Sequence, residues 1–179
     1  AVMQRSLQRL KQKCPSLIQA INMLKLKAFV EMDIPISTDG EYLYYHPQTV
    51  CQIKRGMGYD EIMRDILHII CHGLFGHFDM EVLYRDRKLM WVAMDREVEY
   101  YVDLLLGSHC QNYQRMEEYL GTDYSLSCYY KARTNKAIRK KMLRDKETVK
   151  RDDHQFWLKS QQTNKLEVSG EDVINVVFV

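Results

Sequence analysis

Fourteen residues, Asp65 to Phe78, read DILHIICHGLFGHF and restrict the fold of this chain more than any other stretch. Successive residues of a helix turn by about 100°, so His68 and His72 share one face while Ile66, Leu67 and Ile70 supply an apolar one. Two imidazoles one turn apart on a rigid helix form the first half of a tetrahedral metal site. In the zinc peptidase version of that pattern a glutamate directly follows the first histidine. Here that position is Ile69. The segment therefore has the donors for a metal and lacks the usual base.

The chain has 179 residues, enough for one domain with a real core. Its 46% hydrophobic and 28% charged content is ordinary for a globular protein, and a formal net charge of +2 argues against a dominant polyanion partner. No apolar run approaches the roughly 20 residues of a membrane span. The basic N-terminus AVMQRSLQRLKQKC has no secretory apolar core and reads as a surface helix. Five cysteines, at 14, 51, 71, 110 and 128, are odd in number and lack CxxC spacing, which suits reduced thiols and a cytoplasmic location.

Along the chain, residues 3 to 32 carry basic and apolar positions at helical spacing, interrupted at Cys14-Pro15. That pattern predicts two helices, the second closed by Ile34-Pro35. Asp39-Gly40 between β-prone runs predicts a hairpin, with strands near Ile36–Thr38 and Glu41–Tyr45. A short helix is expected over 48–54, a turn at Gly56 and Gly58, and then the histidine helix, capped by Asp60 and running to about Gly76. A further helix is expected from Lys88 to Leu106, stopped by Gly107, with helices also over 113–120 and 124–150. The closing VINVVFV reads as a buried strand or the start of a following domain. The expected fold class is α+β, mostly helical, with a small sheet on the histidine helix. A domain over 1–160 and a C-terminal tail or strand over 161–179 complete the expected organisation.

A zinc site needs a third ligand, and the sequence offers His77, Asp95 and Glu99. His77 is about 140° round the helix from His72 and converges only if the chain bends after Gly76. Asp95 lies among Trp91, Met94 and Val98, so its carboxylate is expected to be partly buried and to need a partner. Glu99, one turn on, suits an acceptor that sets a histidine tautomer. The plain alternative is a set of polar residues on ordinary helices.

Residues from about Phe29 to Leu106 resemble the metallopeptidase-like domain at the front of bacterial proteins with a von Willebrand factor A-like domain. The resemblance rests on Thr38-Asp39-Gly40, Leu43-Tyr44-Tyr45, His46-Pro47, His68, His72, Gly76-His77, Trp91 and Ala93-Met94-Asp95. Asp153-His154 with Trp157 resembles a further stretch of that family. The resemblance implies a zincin-like fold of HExxH type with His68, His72 and Asp95 as zinc ligands. It also implies a possible MoxR-type AAA ATPase partner. Ile69 departs from the family pattern, and isoleucine can neither take a proton from metal-bound water nor pass one to a leaving amine. Asp65 and Glu61 are the nearest substitute bases.

Segment 131–151 holds ten Lys or Arg against two acids and reads as a solvated helix face, so no nucleic-acid partner is expected. Of twelve tyrosines, those at Tyr42–Tyr45 are expected on an edge strand near the metal, where zincins add an extended peptide. The expected function is a zinc-binding, metallopeptidase-like domain, impaired in catalysis and acting in peptide or protein binding. The alternatives are an active metallohydrolase with an unorthodox base and a metal-free helical interaction module.

Overall fold

The computed structural model describes residues 2–80, 86–107 and 125–146. They are mostly helical with one small mixed sheet, an α+β arrangement. They fall into two compact units, one reaching to Gly76 and one starting at His77. The expected helix over 113–120, the 161–179 tail and the Asp153-His154-Trp157 stretch lie outside the described residues.

The first unit opens with helix α1 (Val2–Lys13), which buries Met3, Ser6 and Leu10 on one face. Proline biases its predecessor away from helical backbone, so α1 stops before Cys14 and a 3₁₀ turn (Pro15–Leu17) leads into α2 (Ile18–Met23). Here the sequence expectation fails, because the second helix ends at Met23 and Lys25–Ala28 forms strand β1. Leu24-Lys25-Leu26-Lys27 alternates with period two, and its backbone is satisfied by a ladder with a strand far along the chain.

That partner belongs to the hairpin of β2 (Ile36–Thr38) and β3 (Tyr42–Tyr45), close to its expected place. The strand order is β1-β3-β2, with β3 antiparallel to β2 and parallel to β1. The tyrosine strand is therefore central, and both its edges are paired, so peptide addition to it is ruled out. The hairpin loop is held by side chains. The Asp39 carboxylate accepts from Glu41 N at 2.9 Å, Tyr42 N at 2.7 Å and the Tyr44 hydroxyl at 2.6 Å. Thr38 Oγ1 accepts from Gly40 N at 3.0 Å and donates to the Tyr42 carbonyl at 2.8 Å. Gly40 takes φ 91°, a left-handed value that side chains with a Cβ rarely adopt.

One sheet face carries Lys25 and Lys27 beside Tyr42 and Tyr44, with Lys27 Nζ 5.1 Å from the Tyr42 ring centre. The other buries Ile36 and Leu43 completely. Helix α3 (Pro47–Gly56) starts with Pro47 in its first turn and His46 Nδ1 accepting from Thr49 N at 3.2 Å. Helix α4 (Tyr59–Leu74) then carries the histidines and is packed by α1, α3 and β2. Its N-cap is Gly58, at φ 89°, and not Asp60, which sits in the first turn with Glu61, where carboxylates favour the helix dipole. From Ile62 to His72 every residue of α4 is buried, so this helix has no solvent face over its centre.

The second unit begins with the short helix α5 (His77–Met80). Helix α6 (Arg87–Leu106) follows, with Asp86 capping Leu89 N and Gly107 ending it in the left-handed conformation. Helices α7 (Ser125–Thr134) and α8 (Lys136–Lys146) pack on α6 and on each other. Their core joins Leu89, Met90, Ala93 and Met94 to Tyr129, Ala132 and Met142. A single helix over 124–150 is expected from the sequence, and the described part is two. Asn135 lies outside both, and its Oδ1 accepts from Ala137 N and Ile138 N, capping α8. No helix among the described residues is long and apolar enough to cross a membrane.

Candidate metal centre

Helix α4 brings the two predicted imidazoles together. His68 and His72 are 1% and 0% exposed, their Nε2 atoms are 3.0 Å apart, and their ring centres are separated by 4.6 Å. Two imidazolium ions at that distance in a buried place would repel strongly. The pair is stable with a single proton between the two nitrogens or with a metal ion between them. Two nitrogens at about 2.0–2.1 Å from a zinc ion in tetrahedral geometry lie roughly 3.3–3.4 Å apart. The observed separation is within a few tenths of an ångström of that, so the spacing of the two nitrogens is compatible with a shared ion.

The residues around the pair on α4 are as informative as the pair itself. Ile69, where a HExxH helix has its glutamate, is 3% exposed and apolar. Asp65, one turn before His68, is 6% exposed. Glu61, a turn earlier still, is only partly buried.

The remaining sequence candidates belong to the second unit. His77 opens α5, is buried, and has its Nε2 3.3 Å from Glu97 Oε2 of α6. Sequence reasoning points to Glu99 as a histidine partner and misses Glu97. The two histidine-to-carboxylate pairings cannot be told apart from the sequence, since His77 and Glu97 lie 20 residues apart on different helices. Glu99 is buried, and Asp95 is half-buried on α6. His68 and His72 supply two donors from α4, and the sequence offers the Asp95 carboxylate as a third. Two imidazoles and one carboxylate are a donor set that suits zinc.

The ionisation of Tyr44 is strongly displaced. Burial, then the hydrogen bond to Asp39, push its pKa well above the ordinary phenol range. Its hydroxyl is committed to the hairpin loop, and so it serves the fold of the strand pair.

Compared with known protein families, with curated proteins and with solved structures, the chain finds no match in any of the three.

Proposed function

We propose that this chain is a metal-binding domain of zincin-like ancestry that holds zinc through His68, His72 and Asp95, has little or no hydrolytic activity, and recognises a peptide or protein. One observation carries the reading: two fully buried imidazoles on one helix with their Nε2 atoms 3.0 Å apart. Burying two basic, polar rings is costly unless both are satisfied, and a shared divalent ion satisfies both at once. The family resemblance adds the order of the hairpin, the histidine helix and the Ala93-Met94-Asp95 stretch, and it is the ground for a MoxR-type AAA ATPase partner; the cysteine pattern is the ground for a cytoplasmic location.

When bound, zinc polarises a carbonyl and lowers the pKa of a coordinated water to about 7. The chain's own residues decide whether that chemistry is used. His68 and His72 hold the ion from one rigid helix, and Asp95 contributes a negative charge that completes the donor set. At Ile69 there is no group to accept a proton from water or to return it to a departing amine. Recognition without turnover is the outcome this combination favours. A hydrolase using Asp65 is the second reading, supported by the burial of that carboxylate one turn from His68.

Cobalt(II) titration followed by visible absorption tests the proposal, because cobalt in a four-coordinate site gives intense bands that a six-coordinate aqueous ion lacks. One equivalent should saturate the signal, zinc should displace it, and His68→Ala should abolish it. Absence of any intense band in the wild-type protein would rule out the proposed site.

A further inference from the structure

We propose that the exposed basic face of α7 and α8 binds a nucleic-acid strand through its phosphates, without reading its sequence. On α8, Lys136, Lys140 and Arg144 are spaced i, i+4 and i+8 and are all exposed, so they form one cationic row about 12 Å long. Among the described residues no acidic group pairs with any of the three. Arg133 and Lys131, also exposed, bring more positive charge from the end of α7.

The row works against the helix that carries it. Like charges four residues apart repel, and Lys136 sits in the first turn, where the helix dipole favours an anion. The first turn of α8 contains no acidic residue to compensate. A polyanion laid along the row removes both penalties together.

Three features choose a phosphate polymer over other anionic partners. The apolar side of α8 is already used, since Met142 is buried and Ile138 and Leu143 pack on the α6 core, leaving no exposed large apolar side chain on α8 among the described residues to insert into a lipid surface. Lysine is depleted at protein interfaces, whereas nucleic-acid interfaces are strongly cationic. Tyr130 is 53% exposed next to Lys131 and offers a ring on which an unpaired base can stack. The sequence alone points to a solvated face because the segment from 131 onward lacks aromatics; the exposure of Tyr130, one residue earlier, changes that.

The test is fluorescence anisotropy with a labelled single strand of mixed sequence, about 20 nucleotides long, and the full chain, between about 50 and 200 mM salt. Neutralising three or four phosphates predicts that log K falls with log[salt] with a slope of about −2 to −3, a weakening of roughly 20- to 50-fold over that range. The triple variant Lys136→Gln, Lys140→Gln, Arg144→Gln should lose most of the slope with an unchanged far-ultraviolet circular dichroism spectrum. Tyr130→Ala should weaken binding at every salt concentration and leave the slope alone. No binding at the lowest salt concentration, or an unaltered slope in the triple variant, would overturn the proposal. Tighter binding to polyglutamate or to vesicles of anionic lipid than to the strand would overturn its choice of partner.

Discussion

Substituting Ile69→Glu places a carboxyl where HExxH helices carry one, and the structure sets what this should cost. Ile69 is 3% exposed, so the substitution removes most of a buried aliphatic side chain, worth about 1.5–3 kcal/mol. It also buries a polar group, adding about 1–3 kcal/mol when no partner is present. The metal-free variant should therefore lose roughly 4 kcal/mol, a large part of the ~5–15 kcal/mol that holds a domain together. For a chain of this size that is a fall in Tm of roughly 8–16 °C. Burial disfavours the charged form of the introduced carboxyl, so the loss should shrink as pH drops towards about 5. With zinc, a metal-bound water gives the carboxylate a hydrogen-bond partner, and the deficit should narrow. Differential scanning fluorimetry of both proteins, with chelator and with excess zinc, measures each quantity. Equal stability of variant and wild type in chelator would refute the claim that this position is dry. An equal zinc-induced shift in both would refute the expectation that a carboxylate at this position comes within reach of the bound metal.

The sheet gives two more expected outcomes. Asp39→Ala removes an acceptor serving Glu41 N, Tyr42 N and the Tyr44 hydroxyl, and should lower stability by about 2–3 kcal/mol in urea denaturation. A loss under about 0.5 kcal/mol would mean that the loop holds without it. Tyr44 has a raised pKa in the folded state, so above pH of about 10 the native chain keeps a proton that the unfolded chain releases. Stability must then decline with rising pH above that point, and Tyr44→Phe should flatten the decline between pH of about 10 and 11.

The parts legible in the sequence are those whose cause is local. The Asp39-Gly40 loop announces itself because Asp39 and Thr38 hydrogen-bond within four residues of their own positions. The histidine helix is legible because its apolar spacing and its pair of donors obey one period, and α6 because Gly107 ends it. Strand β1 is hidden because its ladder partner Tyr42–Tyr45 lies 17 residues ahead, and nothing in Lys25–Ala28 names that partner. The same distance effect makes β3 read as an edge. Asn135 is hard to read as a cap because it lies inside a basic run, where the helical spacing of charges continues on both sides. At the site, the two histidines can be paired from spacing alone, whereas Glu97 becomes visible only through the placement of α5 against α6.

Metal content of the purified protein by elemental mass spectrometry tests the central claim most directly, run beside His72→Ala and Asp95→Ala. The expected result is close to one zinc per chain, falling to a small fraction of that in both variants. No metal in the wild-type protein even after zinc is supplied, or full zinc retention in His72→Ala, would contradict it.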